Sequence, residues 1–175
     1  MILGLDASTS TVGWAFSEDG KIVNAGFLDI SHLETSKEKS FFVLDYLKST
    51  LLLKHVTEIN LEAALSGFAG GRTSQQVIIK LARFNAVFEY IISEETELKV
   101  NLCNVNTMRK QLFGKARVKG MKAKEFVKAN IVNFVDVAKF DQKKKKGSWD
   151  ERNGDMYDAM VCALFIDTEN KKLIK

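Results

Sequence analysis

The sequence predicts an α/β fold in which a mixed five-stranded sheet is flanked by helices on both faces. Two observations lead to this class. Three short apolar or alternating segments follow one another within the first 30 residues, which is typical of an antiparallel meander. Helical patterns then alternate with two further short strands, and this order predicts parallel strands reached through right-handed crossovers. We expect residues 1–175 to form one domain, since this length is sufficient for a sizeable core.

The five strands are predicted from short apolar runs bounded by turn residues. A turn rich in serine and threonine separates the first two strands, and a Ser-Glu-Asp-Gly turn precedes the third. The fourth and fifth are short apolar segments that lie between helices. The predicted strands cover residues 1–5, 12–16, 21–30, 59–61 and 98–105.

Apolar residues at spacings of three and four predict the helices. Thr73 and Gln76 form a candidate capping box at the start of the longest helix. In the helix that follows a basic loop, Val127, Ile131 and Phe134 are expected to face the core. The predicted helices cover residues 36–55, 73–94, 122–135 and 153–169, with a single helical turn at 107–112.

Basic residues are concentrated between residues 109 and 146. This segment holds 13 lysines and arginines but only three acids, whereas acids outnumber basic residues in the rest of the chain. Such asymmetry predicts a basic face that binds a polyanion, with a solvated lysine-rich surface as the alternative. We expect the four consecutive lysines at 143–146 to lie in a mobile loop with a non-specific electrostatic role.

The composition argues against a membrane or secreted protein. No apolar stretch approaches the roughly 18 residues of a membrane span, and the N-terminus lacks the features of a signal peptide. Cys103 and Cys162 are far apart in sequence and have no histidine nearby, which predicts buried, reduced thiols rather than a metal or redox site. We therefore expect a cytoplasmic protein with no membrane partner.

Four acids occupy positions at which this fold would bring them together. Asp6 and Glu62 each follow an apolar strand directly. If those two strands are parallel neighbours, both acids end at the edge of the sheet where open α/β folds place their sites. Asp155 and Asp158 lie three residues apart at the start of the last helix and share one helix face.

Each acid also has a structural interpretation. Asp6 can accept hydrogen bonds from the turn that follows it. An acid near a helix N-terminus can complement the helix dipole, which applies to the two acids of the last helix. Glu62 can pair with Arg72 or Arg83.

Convergence of the four acids predicts bound cations. Four like charges are held close together only when cations lie between them. A set of ligands with oxygen donors alone favours Mg²⁺, for which Mn²⁺ can substitute, over Zn²⁺. Two such ions a few Å apart are a known arrangement for in-line phosphodiester displacement.

The chain resembles RuvC-type Holliday junction resolvases of the ribonuclease H-like superfamily. It resembles a divergent phage or viral member more than a typical cellular one. The departures from the family pattern are Asp-Ala-Ser in place of Asp-Pro-Gly, a longer loop after Glu62 and the lysine run, and they leave the acids intact. The resemblance implies a ribonuclease H-like fold and a Mg²⁺-dependent endodeoxyribonuclease. It also implies that the metal-binding catalytic acids are Asp6, Glu62, Asp155 and Asp158. The matching residues are Leu3-Gly4-Leu5-Asp6-Ala7-Ser8 with Gly13, Leu61-Glu62, Lys80-Leu81-Ala82-Arg83, residues 114–124 and Asp155-Met156-Tyr157-Asp158-Ala159.

The same resemblance implies a homodimer that cuts opposed strands of a four-way DNA junction. The helix at 73–94 would supply part of the interface, and its second apolar strip, Ile78, Ala82 and Ile92, fits either an interface or the core. Phe68 is a candidate for stacking on an exposed base, although it fits the core equally well. The candidate DNA contacts with positive charge are Arg72, Lys115, Arg117, Lys119, Lys122 and Lys124.

Three other functions remain compatible with the sequence. A nuclease of the same fold can act on RNA or on RNA–DNA hybrids, and a module of this fold can bind nucleic acid without cutting it. An actin-like ATPase or sugar kinase also begins with an acid after a core strand, but that fold needs two such domains and 175 residues hold one.

Overall fold

The computed structural model describes residues 1–64, 75–144 and 147–166. Within these residues five strands form one sheet in the order β3-β2-β1-β4-β5. β1 pairs antiparallel with β2, and β2 with β3, whereas β1–β4 and β4–β5 are parallel pairs. The mixed five-stranded sheet is therefore confirmed. The strands are β1 (Ile2–Ala7), β2 (Thr11–Glu18), β3 (Lys21–Asp29), β4 (Glu58–Glu62) and β5 (Val100–Cys103).

Helices cover both faces of this sheet, as predicted. The first two pack on one face around Leu3, Leu5 and Phe16 of the sheet. The other three pack on the opposite face, around Ala15 and Phe27. The helices of the described residues are α1 (Ser36–Ser49), α2 (Gln75–Thr96), α3 (Val105–Phe113), α4 (Ala123–Ile131) and α5 (Asn153–Leu164), with 3₁₀ turns at Leu53–His55 and Val137–Lys139.

Several predicted boundaries were wrong. Helix α1 and strand β5 end earlier than predicted, and helix α3 begins earlier, because of local backbone conformation and capping. α1 stops at Ser49, and Leu51, predicted within the helix, has a positive φ of 59° and is largely exposed. β5 ends at Cys103 because the Asn104 side chain accepts hydrogen bonds from the next turn and starts α3 at Val105.

The inward face of α4 was also partly mispredicted. The helix ends at Ile131, so Phe134 lies beyond it and is 51% exposed. Phe126 is buried instead, next to Val127. Lys143 forms an antiparallel β-bridge with Trp149. Residues 145 and 146 of the predicted mobile loop lie outside the described residues.

The predicted capping box at Thr73 lies partly outside the described residues. The last helix was predicted to extend to residue 169, but it ends at Leu164 because Phe165 is extended. Cys103 and Cys162 are both buried, as expected. No helix in the described parts of the chain is long and apolar enough to cross a membrane.

Helix α5 lies directly on the sheet because the facing strands carry glycine. A Cβ at Gly4 of β1 would overlap the backbone of Ala159 and Ala163, and one at Gly13 of β2 would overlap the carbonyl of Asp155. Any larger residue at either position would therefore push the helix away from the sheet.

Buried polar side chains fix the other end of the same helix. Asn60 Nδ2 donates to the carbonyls of Cys162 and Phe165 at 3.0 and 3.1 Å, and Ser17 Oγ donates to that of Ala163 at 2.5 Å. Because these bonds satisfy carbonyls at the C-terminus of α5, they hold the helix in one position along the strands.

Candidate active site

Asp6 and Glu62 lie side by side at the carboxyl ends of two parallel strands. Leu5 of β1 is in register with Leu61 of β4, so the two acids that follow these residues are neighbours. Ser8, not Asp6, closes the turn after β1, because its hydroxyl donates to the carbonyl of Thr11 and accepts from the amide of Thr11. The hydrogen bonds that close this turn therefore involve Ser8, and they do not compensate the negative charge of the Asp6 carboxylate.

The start of α5 brings the other two acids to the same edge. Asp6 is in register with Gly13, and the backbone of Asp155 lies against Gly13. Asp158 follows one helical turn later and is 5% exposed. The structure thus brings together the four acids on which the sequence analysis depends.

The acids perturb one another electrostatically. The pKa of Asp6 is raised well above its ordinary value, first by burial and then by the charges of Glu62, Asp158 and Asp155. Burial, followed by the charge of Asp158, raises the pKa of Glu62 to about 7. Burial also raises the pKa of Asp158, against the attraction of Arg109. The folded chain therefore holds these carboxylates close together at a cost in free energy.

Two basic side chains contact the acids of α5. Arg109 Nη2 donates to Asp158 Oδ1 at 2.9 Å, and both side chains are almost fully buried. Lys124 Nζ donates to Asp155 Oδ1 at 2.5 Å, where Lys124 is half exposed. Burial alone lowers the pKa of Lys124, but the hydrogen bond and charge of Asp155, with the charges of the other acids, outweigh it and raise the pKa.

The sequence analysis missed Arg109, although the pattern of α3 contains a signal for it. Val105, Met108 and Arg109 are the buried residues of this helix. An arginine within a buried apolar face needs an acidic partner. Its Nε is buried without a hydrogen-bond partner among the described residues.

The donor chemistry of the site fits a hard divalent cation. All four candidate ligands are carboxylates. Burial first, and then the charges of neighbouring acids, raise the pKa of Asp6, Glu62 and Asp158, and a cation would relieve both effects. In the conformation described, no three Asp, Glu, His or Cys side chains of the described residues converge as ligands. Asp155 and Asp158 instead direct Oδ1 towards Lys124 and Arg109.

The predicted nucleic-acid contacts are only partly placed. Phe68 and Arg72 lie outside the described residues. Arg83 lines a cavity of about 370 Å³ with Lys39 and Lys80. The exposed basic residues of the α3–α4 connection and the start of α4 are Lys115, Arg117, Lys119, Lys122 and Lys124.

One residue of the predicted interface strip belongs to the core. Ile92 is 1% exposed and lies with Phe84 and Phe88 on the buried face of α2. Ala82 is exposed and Ile78 is half-buried. The strip therefore divides between the core and the surface.

Three solved structures that are similar to this chain are of RuvC or of a Holliday junction resolvase. RuvC of Thermus thermophilus is similar over 93% of this chain and 90% of its own, with a TM-score of 0.59 and 14% identity. The structure of T. thermophilus RuvC in complex with Holliday junction substrate gives a TM-score of 0.58, with 12% identity over 93% and 89% of the two chains. The yeast mitochondrial Holliday junction resolvase Ydc2 gives a TM-score of 0.56, with 14% identity over 93% of this chain and 75% of Ydc2.

No protein-family model matches the chain, and no curated protein matches it. The similarity to these solved structures confirms, at the level of the fold, the resemblance that was inferred from the strand-end acids and the last helix. This chain has the ribonuclease H-like fold of the RuvC-type Holliday junction resolvases.

Proposed function

We propose that this chain is a Mg²⁺-dependent, structure-selective DNA endonuclease that resolves four-way junctions. The observation that carries the proposal is that Asp6, Glu62, Asp155 and Asp158 lie at one edge of the sheet, where burial and the charges of the other three raise the pKa of Asp6. The same fold occurs in T. thermophilus RuvC, which has been solved with a Holliday junction substrate. A nuclease that cuts junctions needs clustered acids for the chemistry and a surface that binds branched DNA. The position of the acids supports the first requirement, and the fold shared with RuvC supports the second.

The four acids would hold Mg²⁺, or Mn²⁺ in its place, and the proposal assigns two ions to the site. Such ions supply a water molecule activated for attack on phosphorus and a positive charge for the leaving oxygen. Strand pairing holds Asp6 beside Glu62, and the close contact at Gly13 holds the backbone of Asp155 near them, so these positions would serve as the ligands. Cleavage is expected to leave 5′-phosphate and 3′-hydroxyl ends.

The basic side chains at the site have separate tasks in this proposal. Arg109 is buried and orients the carboxylate of Asp158. Lys124 is half exposed, so it can hold Asp155 while its charge faces an arriving phosphate. The exposed basic residues of the α3–α4 connection and the N-terminus of α4 would bind the phosphates of the junction arms, namely Lys115, Arg117, Lys119 and Lys122. Phe68 and Arg72 remain predicted contacts.

The proposal includes a homodimer, because resolution of a four-way junction needs cuts in two opposed strands. The surface of α1 and α2 supports it. Tyr90 is 65% and Ile79 is 49% exposed on α2. A cavity of about 620 Å³ beside Tyr90 is lined by Phe41 and Val87. Exposed apolar side chains around such a cavity are typical of an interaction surface.

Replacement of Tyr90 by glutamate tests the dimer. We expect Tyr90→Glu to sediment as a monomer and to make single nicks instead of paired cuts. A wild-type chain that is monomeric yet makes paired cuts would contradict the dimer alone. The proposed place of action is the cytoplasm of a bacterium or of a phage-infected host cell, where such DNA occurs.

A cleavage assay tests the activity itself. The substrates are an immobile four-way junction, a linear duplex with the same sequences, and an RNA–DNA hybrid, each with Mg²⁺ or with EDTA. The proposal predicts symmetric, Mg²⁺-dependent nicks in the junction and none in the duplex. Cleavage of the hybrid alone would assign the chain to RNA substrates, and junction binding without cleavage would assign it to the non-catalytic modules.

A further inference from the structure

A pocket with an aromatic wall lies directly beside the acidic cluster. Its volume is about 280 Å³, and it is formed between α4 and the residues that lead into α5. Lys124 and Gly154 connect it to Asp155. We call it the Trp149 pocket, and its main lining residues are Lys122, Lys124, Lys128, Trp149, Gly154 and Tyr157.

The aromatic wall is held in place by the fold. Tyr157 is buried, and its hydroxyl donates to Asp141 Oδ1 at 2.5 Å. Trp149 lies 6.4 Å from Tyr157 between ring centroids and remains 37% exposed. The bridge from Trp149 to Lys143 fixes the backbone that carries the indole. A large aromatic surface is thus presented to solvent in a defined position.

The rim of the pocket has a net positive charge. Lys128 Nζ lies 4.0 Å from the centroid of the Trp149 ring. The two acids of the lining are already paired: Glu125 accepts from the backbone amide of Lys122, and Glu151 accepts from Lys144. Lys124 is paired with Asp155, so Lys122 and Lys128 supply the charge available beside the aromatic wall. Lysines next to an aromatic ring match the chemistry of a nucleotide, which joins a flat base to an anionic phosphate.

We propose that the Trp149 pocket binds an unpaired base of the DNA substrate next to the phosphate that is cut. This inference rests on the proposed function and adds a binding site to it. The base stacks on Trp149 in place of the Lys128 ammonium, because base–aromatic stacking is generally stronger than a cation–π contact at an exposed site. Lys128 then pairs with the adjacent phosphate. The bridge between Lys143 and Trp149 serves to present Trp149 to the substrate.

The test uses a junction with 2-aminopurine at single positions near the branch point. Binding is measured in the Asp6→Asn background, so that the DNA stays intact. We expect quenching of 2-aminopurine at one or two positions, its loss in Trp149→Leu, and its retention in Trp149→Phe. The leucine variant should bind roughly 5- to 150-fold more weakly, the range expected for loss of one stacked base.

Two controls separate stacking from charge and from folding. The salt dependence of binding should keep the same slope in Trp149→Leu, since no phosphate contact is removed. Phe42→Ala removes an aromatic side chain of similar exposure, 40%, from the opposite face of the sheet and should change neither affinity nor quenching. Near-ultraviolet circular dichroism checks that Trp149→Leu is folded.

The outcomes separate the pocket from the proposed function. If the wild-type chain cuts the junction and Trp149→Leu binds and quenches as the parent does, the pocket inference is wrong and the nuclease proposal stands. If the wild-type chain neither binds nor cuts any junction, the proposed function itself is overturned.

Discussion

Replacement of Glu62 by glutamine should stabilise the metal-free protein at alkaline pH. In the folded chain the pKa of Glu62 is raised from an ordinary 4.5 to about 7. Between these pH values the Glu62 side chain binds more protons in the folded state than in the unfolded state. The free energy of unfolding therefore falls as the pH rises from about 4.5 to about 7, and it does not change further above pH 7 on account of Glu62. The difference corresponds to roughly 3 kcal/mol. Glutamine cannot ionise, so the variant escapes this loss.

The assay is thermal unfolding in EDTA at a series of pH values. At pH 8 we expect Glu62→Gln to melt higher than the wild-type chain, by roughly 6–12 °C for roughly 3 kcal/mol in a protein of this size. Near pH 5 the two should differ by less than about 1 kcal/mol. Glu94→Gln, on an exposed part of α2, is the matched control and should follow the wild-type pH dependence. Saturating Mg²⁺ should stabilise the wild-type chain more than Glu62→Gln, because the proposed ion binds the folded carboxylates.

A lower melting temperature of Glu62→Gln than of wild type at pH 8 in EDTA would refute the reasoning. It would mean that Glu62 contributes net favourable interactions, with Arg109 or another partner, that outweigh its repulsion by the other acids. An equal response of both proteins to Mg²⁺ would remove Glu62 from the ligand set.

Three further substitutions test separate parts of the site. Asp6→Asn should abolish cutting but leave junction binding within about twofold, measured by fluorescence anisotropy, since the basic surface is unchanged; a variant that still cuts would contradict the metal-site assignment. Arg109→Met should lower the free energy of unfolding by about 3–5 kcal/mol in urea, because it leaves Asp158 buried without its partner. Arg109→Lys should lower the free energy of unfolding less, and the double variant Arg109→Met with Asp158→Asn should recover part of the loss. If Arg109→Met alone is as stable as the wild-type chain, the ion pair does not stabilise the fold. Gly13→Ala should cost at least about 1–3 kcal/mol and slow cutting, because the added Cβ overlaps the carbonyl of Asp155; unchanged stability would mean that α5 can move without penalty.

The sheet and the acidic cluster were predictable because they depend on short-range patterns. Apolar runs that end in an acid locate Asp6 and Glu62 at strand ends, and the spacing of three places Asp155 and Asp158 on one face. The parallel pairing of β1 with β4 follows from the chain order and the handedness of crossovers. These features need no knowledge of side-chain contacts.

The basic partners of the acids were not predictable in the same way. Lys124 lies on a helix that contacts Asp155 only through the docking of α4 on α5, which the sequence does not specify. Arg109 carries a local signal, its place on the buried face of α3, but its partner is 49 residues away. The exposure of Phe134 depends on where α4 ends, and helix ends are the least reliable feature of a sequence pattern.

The most direct test of the central claim is anomalous diffraction from crystals of the chain soaked in Mn²⁺ and measured at the manganese edge. The account predicts anomalous peaks among Asp6, Glu62, Asp155 and Asp158, and their loss in Asp6→Asn. Crystals that show no peak among these four carboxylates at saturating Mn²⁺, or the same peaks in Asp6→Asn, would contradict it.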